Sequence, residues 1–221
     1  MGKEEMKDIE LRKITRAEVT DLWDKYFYSD GYKFLEDYPH HLDKQSSKVL
    51  YSVIRHYKPQ VCLEFGVFSG GSACIILTAC GQNGLPFRYI PFEKNPDYSK
   101  DAKQNILREC KIDIEIFGDI TKNLDKIPES LDFVFIDPEW DKEIAVWTYE
   151  NIIPRVKKGG LVAIHDWSVS EELQYQGGQF EGIKYFIELT KEGKMPLFKI
   201  FSMWDHEEFR PNYALSFWVK I

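Results

Sequence analysis

The chain has 221 residues, 43% of them hydrophobic, which is enough to bury a core as one domain and excludes general disorder. Its formal net charge is -7 and its 29 basic residues form no cluster, which argues against a nucleic-acid partner. The N-terminus lacks an apolar core, no run approaches the roughly 18 apolar residues of a membrane span, and the four cysteines lack zinc or disulfide spacings. We therefore expect a cytoplasmic protein with buried thiols and no membrane partner.

Residues 1–46 are predicted to form an N-terminal helical and aromatic segment. Its aromatic stretch, residues 23–38, is interpreted either as packing or as a lid over a bound acceptor. Residues 47–221 are predicted to form the main domain. A helix is expected near residues 46–58, because Val49, Val53 and Ile54 share a helical face there.

Seven short apolar segments bounded by Gly, Pro or Asp are typical of strands. They are residues 61–65, 88–92, 112–117, 131–136, 160–164, 198–204 and 213–221. Helical patterns separate most of them, including one that Asn95 should cap with Pro96 in the first position. This order predicts an α/β fold: a Rossmann-like, open, mostly parallel seven-stranded sheet with helices on both faces and an antiparallel C-terminal strand pair.

The stretch LEFGVFSGGS joins the first strand to the first crossover helix. Glycines let a ligand approach the main chain, and the helix N-terminus offers free N–H groups, so this is predicted to be a cofactor loop. The spacing is neither that of a dinucleotide site nor that of a phosphate loop. A carboxylate in the loop suits an ammonium group, and Glu93 after the second strand is placed to accept hydrogen bonds from a ribose. The cofactor-binding residues predicted in the loop are Glu64, Gly66, Gly70, Gly71 and Ser72.

From about residue 47 to residue 221 the chain resembles the class I S-adenosylmethionine-dependent methyltransferases. LEFGVFSGGS resembles their glycine-rich motif, FEKNPD their acidic ribose motif, and LDFVFID and IIPRVKKGGLVAIHD their later strands. FGDI resembles the loop that would place Asp119 near the adenine. The most similar subgroup is the small-molecule O-methyltransferases of the catechol and macrolide-sugar type. The resemblance implies S-adenosylmethionine as the cofactor and a small molecule as the acceptor.

Acids follow the fourth and the fifth predicted strand. In the subgroup that the chain resembles, acids at these positions help to bind a divalent metal, which implies a Mg²⁺ or Mn²⁺ site at Asp137 and Asp166 with His165 as a further ligand. The alternative is that His165 acts as a general base. Lys142 is another candidate base, because the catechol-type enzymes carry a lysine soon after the fourth-strand acid. The chain departs from the usual metal-binding pattern, so both readings stay open.

Two other functions remain as alternatives. The loop Asp137-Pro138-Glu139-Trp140 partly resembles the motif of methyltransferases that act on amino groups, with Trp140 available to stack. The other alternative is a non-catalytic module that binds the cofactor. The sequence leaves open whether the chain forms a homo-oligomer.

Overall fold

The structure is a computed structural model that describes residue 42 and residues 44–167, 181–202 and 215–221. The predicted aromatic lid lies outside the described residues. The helices are α1 (Lys44–Tyr57), α2 (Gly71–Gln82), α3 (Pro96–Cys110), α4 (Lys142–Asn151) and α5 (Glu181–Lys191). The strands are β1 (Val61–Phe65), β2 (Arg88–Phe92), β3 (Leu131–Ile136), β4 (Val156–His165), β5 (Leu197–Ser202) and β6 (Leu215–Lys220).

The strands form one mixed sheet in the order β2-β1-β3-β4-β6-β5. The first four strands in this order are parallel, and β6 runs antiparallel to both β4 and β5. The predicted α/β architecture and its antiparallel C-terminal pair are therefore confirmed. The carboxyl ends of β1, β2, β3 and β4 meet at one edge, which is where such sheets place their ligands.

The prediction of seven strands is wrong, because the described residues form six. Residues 112–117 make a single bridge, between Phe92 and Phe117, instead of a ladder. Their isoleucines pack against the cluster between α2 and α3, and Asp113 lies 3.2 Å from the Lys103 ammonium group on α3. The predicted strand is therefore reduced to this bridge, in which the Phe117 N–H donates to the carbonyl oxygen of Pro91 and the Glu93 N–H donates to that of Phe117, both at 2.9 Å.

Both faces of the sheet are covered, as the sequence predicted. Alternating side chains of the central strands enter two separate core clusters, so that Phe133 packs with α1 and α2 while Val134 packs with α4 and α5. Helix α3 begins as predicted, with the Asn95 side chain accepting hydrogen bonds from the N–H groups of Asp97 and Tyr98. Within the described residues, no helix has both the length and the apolar character needed to cross a bilayer.

Candidate active site

A cavity of about 410 Å³ opens at the carboxyl edge of the sheet. Each of the four parallel strands contributes to its wall: Gly66 follows β1, Glu93 follows β2, Asp137 follows β3 and Asp166 follows β4. The fold therefore brings predicted cofactor residues and predicted catalytic residues to one cavity, although they are far apart in sequence.

The glycines of the predicted cofactor loop are required by close packing. Gly66 and Gly70 both have φ of 91°, a conformation that side chains rarely adopt. A Cβ atom at Gly66 would lie 2.2 Å from the carbonyl oxygen of Asp137, and one at Gly70 would lie 3.2 Å from the carbonyl oxygen of Ala102. Gly66 lines the cavity, whereas Gly70 and Gly71 are buried outside the lining. The bare backbone thus serves chain packing as well as ligand access.

The Glu64 side chain is fully buried and does not line the cavity. Its two carboxyl oxygens accept hydrogen bonds from the hydroxyls of Ser72 and Tyr89. Burial raises the pKa of Glu64 to about 8, although the two hydrogen bonds lower it and the nearby Asp137 and Glu93 raise it further. Ser72 also lies outside the cavity lining, so the contact of Glu64 with an ammonium group and the cofactor-binding role of Ser72 stay predictions.

Glu93 lies on the cavity wall, where the sequence predicted a ribose partner. Its carboxylate accepts hydrogen bonds from the N–H groups of Phe68 and Asn95, each at 2.8 Å. Phe68 has a φ of 49°, which is unusual for a bulky residue, and its ring packs edge-on against Tyr98 with a centroid distance of 4.4 Å. Because each carboxylate oxygen has two lone pairs, Glu93 can still accept hydrogen bonds from a ligand.

Asp119 also lines the cavity, in the loop that the sequence placed near the adenine. Its side chain accepts hydrogen bonds from the N–H of Thr121 at 3.0 Å and from the hydroxyl of Thr121 at 2.8 Å, and thereby caps a short 3₁₀ turn. Asp119 thus caps this turn and lines the cavity at the same time.

Asp137, His165 and Asp166 converge at the ends of β3 and β4. The His165 Nδ1 atom lies 3.1 Å from Asp137 Oδ1 and 3.4 Å from Asp166 Oδ1. His165 is only 5% exposed and does not line the cavity, whereas both aspartates do. Burial raises the pKa of Asp166 to about 6; the Asp137 charge raises it further and the His165 charge lowers it.

Comparison with known proteins identifies the domain to which these residues belong. A family model described as a methyltransferase domain matches residues 63–167. This match supports the resemblance to class I methyltransferases that the sequence motifs indicate. No curated protein matches the chain by sequence.

Several solved structures share the fold of the methyltransferase domain. The cofactor-bound Rv0187 from MTB has a TM-score of 0.67 and 16% identity, over 92% of this chain and 88% of that one. The O-methyltransferase from Bacillus cereus in complex with SAH has a TM-score of 0.64 and 17% identity, over 93% of this chain and 92% of that one. The third is the O-methyltransferase TomG from Streptomyces achromogenes, which is involved in tomaymycin synthesis and was solved with SAM. It has a TM-score of 0.62 and 14% identity, over 92% of this chain and 88% of that one. At these identities the likeness shows a shared fold.

Lys142 does not reach the cavity of the methyltransferase domain. It is the exposed first residue of α4, directly after Asp141, whose side chain caps this helix by accepting a hydrogen bond from the N–H of Ile144 at 2.7 Å. Its carry-over from the catechol-type pattern therefore has no support in the geometry. Because Asp141 caps the helix, Lys142 begins α4 and lies on its exposed surface.

The sequence reading missed several residues of the site. Lys94, Phe68 and Tyr98 line the cavity, and Lys94 forms an exposed ion pair with Glu139 that joins the loops after β2 and β3. Tyr89 contacts Glu64 from the neighbouring strand. The position of Lys94 directly after Glu93 was a usable signal, but the contact of Tyr89 depends on the pairing of β1 with β2 and could not be read from a motif.

Proposed function

We propose that the chain transfers a methyl group from S-adenosylmethionine to a hydroxyl group of a small molecule. The observation that carries this proposal is that Glu93 and the aspartate pair, Asp137 and Asp166, line one cavity. A nucleoside bound at Glu93 could then direct its reactive end toward the two aspartates.

The cavity suits the proposed cofactor in size and chemistry. Its volume of about 410 Å³ falls in the range of roughly 300–1,000 Å³ that is typical of ligand sites. Glu93 offers lone pairs for the ribose hydroxyls, and the apolar side chains of Phe92 and Ile120 line the wall beside Asp119, where the adenine would lie. The relatives from Bacillus cereus and Streptomyces achromogenes were solved with SAH and SAM, which supports the same choice here.

The aspartates support a hydroxyl acceptor. The cofactor supplies a methyl group on a good leaving group, so the protein must orient the acceptor and favour its deprotonated form. A phenol needs such help because its pKa is about 10, like that of tyrosine. Asp137 and Asp166 face the cavity and can hold this proton, while His165 lies behind them and orients Asp137 through the 3.1 Å contact.

The same residues fit a divalent metal. Asp137, His165 and Asp166 each offer one ligand atom, and these atoms lie within 4.8 Å of one another. In the described part of the chain, Asp166 Oδ1 is buried and accepts no hydrogen bond, so its lone pairs are available to an ion. Two carboxylates suit Mg²⁺, and an added imidazole shifts the preference toward Mn²⁺. When bound, such an ion would favour the deprotonated form of the acceptor hydroxyl.

The alternative of an amino-group acceptor is less well supported. Trp140 lines the cavity, but it is only 2% exposed and packs edge-on against Phe186 with a centroid distance of 5.9 Å, which leaves it little free surface for stacking on a base. Glu139 replaces the second proline of the amino-group motif and pairs with Lys94. Primary amines also need no carboxylate pair when they are already neutral. The reading as a non-catalytic module is opposed by the acidic groups that face the cavity.

We also propose that the acceptor is a small molecule and that the protein is cytoplasmic. Among the described residues that line the cavity the only basic one is Lys94, and it is paired with an acid, so a nucleic-acid backbone would find little attraction. Three cysteines are buried as free thiols, which suits a reducing compartment: Cys62, Cys74 and Cys80.

The test combines binding with product analysis. Calorimetry should show binding of S-adenosylhomocysteine, and mass spectrometry should show gain of one methyl group by hydroxylated compounds incubated with S-adenosylmethionine. The panel should pair catechol and a methyl glycoside with matched amine analogues. Methylation of the amine members alone would favour the alternative function, and binding without methylation of any member would favour the non-catalytic module.

A further inference from the structure

A buried hydrogen-bonded bridge lies beneath the cofactor loop. Glu64 on β1 accepts hydrogen bonds from Ser72, in the first turn of α2, and from Tyr89 on β2. The Glu64–Ser72 contact spans eight residues and so closes the loop that contains Gly66 and Gly70. The bridge therefore joins the two ends of the cofactor loop to the strand that carries Glu93 at its end.

The bridge occupies both oxygens of the Glu64 carboxyl group. Glu64 has no exposed surface, and it lies outside the cavity lining, so an ammonium group in the cavity cannot meet it in this arrangement. The carboxyl group also has a pKa raised to about 8, chiefly by burial, so it is mostly neutral at neutral pH. A buried carboxyl group that lies outside the cavity lining, with a hydroxyl against each of its oxygens, is suited to holding structure in place and not to binding a cation.

We propose that Tyr89 is a positioning residue for the cofactor, which acts through Glu64 and Ser72 to fix the first turn of α2 and the glycine loop. This inference rests on the proposed function, because it is tested by measuring the affinity for the cofactor product. Tyr89 is half-buried beside the loop and is not among the residues that line the cavity, so it would act without touching the ligand. It would align Gly66 on β1 with Glu93 on β2, the two positions that the cofactor must contact together.

The backbone around the bridge supports this role. The Gly66 N–H donates to the carbonyl oxygen of Phe92 at 3.0 Å, so the start of the loop is also tied directly to the end of β2. Helix α2 has Gly70 at its N-cap and no side-chain cap hydrogen bond, so the Ser72 hydroxyl supplies its first turn with a side-chain hydrogen bond that the cap does not provide. Loss of the Tyr89 hydroxyl would leave Glu64 free to tilt and carry Ser72 with it.

The experiment compares two ligands, S-adenosylhomocysteine and methylthioadenosine, which lacks the amino-acid portion. Affinities are measured by calorimetry for wild type, Tyr89→Phe, Ser72→Ala and the double variant, with Tyr57→Phe at the exposed end of α1 as the matched control. We expect Tyr89→Phe to weaken both ligands by the same factor, roughly 3- to 10-fold, which is the scale of one buried hydrogen bond. The double variant should lose less than the product of the single losses, because the two hydroxyls act through one carboxyl group.

A pH series separates positioning from general loss of structure. The carboxylates Asp137 and Glu93 lie near Glu64 as well, but among the residues that the structure describes only Ser72 and Tyr89 donate to it. Tyr89→Phe removes a donor that favours the charged form, so any step in ligand affinity due to Glu64 should move to higher pH and should vanish in Glu64→Gln. Thermal unfolding of each variant checks that the protein remains folded.

Each outcome bears on the proposal. Unchanged affinity for both ligands in Tyr89→Phe and in Ser72→Ala would overturn it while leaving the proposed function intact. Selective loss of S-adenosylhomocysteine in Glu64→Gln, with methylthioadenosine unaffected, would overturn it in favour of direct contact with the ammonium group. Failure of wild type to bind either ligand would overturn the proposed function and this inference with it.

Discussion

Replacement of Glu93 by alanine is the most informative perturbation of the proposed cofactor site. Glu93 is 8% exposed and accepts hydrogen bonds from two N–H groups, those of Phe68 and Asn95. In Glu93→Ala the ribose would lose its charged acceptor, which is worth about 1–3 kcal/mol. Phe68 is exposed and Asn95 is partly exposed, so water can satisfy their N–H groups and the loss should stay in this range. Affinity should therefore fall roughly 5- to 150-fold.

The assay is calorimetric titration with S-adenosylhomocysteine, which needs no acceptor. Glu188→Ala, at an exposed position of α5, is the matched control and should bind as wild type does. Glu93→Gln should lie between wild type and alanine, because an amide keeps one acceptor oxygen but cannot accept from both N–H groups with both of its terminal atoms. Wild-type affinity in Glu93→Ala would refute the assignment of the ribose to Glu93.

Three further predictions concern the reacting centre, the buried acid and the glycine loop. Asp137→Asn should lower methyl transfer by about 100-fold or more, and assays with and without a chelator show whether a metal takes part; full activity would place the chemistry elsewhere. The pKa of Glu64 is 4.5 in its ordinary state and about 8 in the folded protein. Its contribution to the free energy of unfolding is therefore fully present below pH 4.5 and is lost as pH rises through about 8. Denaturation of Glu64→Gln should thus show a flatter fall in stability across that window, by up to about 1.4 kcal/mol per pH unit; an unchanged slope would contradict the burial argument. Gly66→Ala should destabilise more than Gly84→Ala, since both have positive φ but only Gly66 meets a carbonyl oxygen, at 2.2 Å, and equal losses would contradict the packing argument.

The features that local sequence determines were predictable. The Asn95 cap with Pro96 and the strand at residues 131–136 depend on a few neighbouring residues, and the structure confirms them. The convergence of Asp137 with Asp166 followed from topology, because parallel strands end at one edge of the sheet.

Other features depend on contacts between distant segments. Residues 112–117 have the pattern of a strand, but their isoleucines pack against a cluster from α2 and α3, and the segment makes a single bridge to β2. The motif shows the position of Glu64 on β1, but it does not show the Tyr89 hydroxyl that contacts Glu64 from β2. Lys142 was predicted as a base because a lysine follows the fourth-strand acid in catechol-type enzymes. In the structure Asp141 caps the helix, and Lys142 lies on the exposed surface of its first turn.

A crystal structure with bound S-adenosylhomocysteine tests the central claim most directly. The account predicts that the ribose hydroxyls lie within hydrogen-bond distance of the Glu93 carboxylate and that the sulfur atom faces Asp137 and Asp166 across the cavity. It also predicts that Glu64 keeps its contacts with Ser72 and Tyr89 when the ligand is bound. A ligand seated outside this cavity, or one whose sulfur atom points away from both aspartates, would contradict the proposed function.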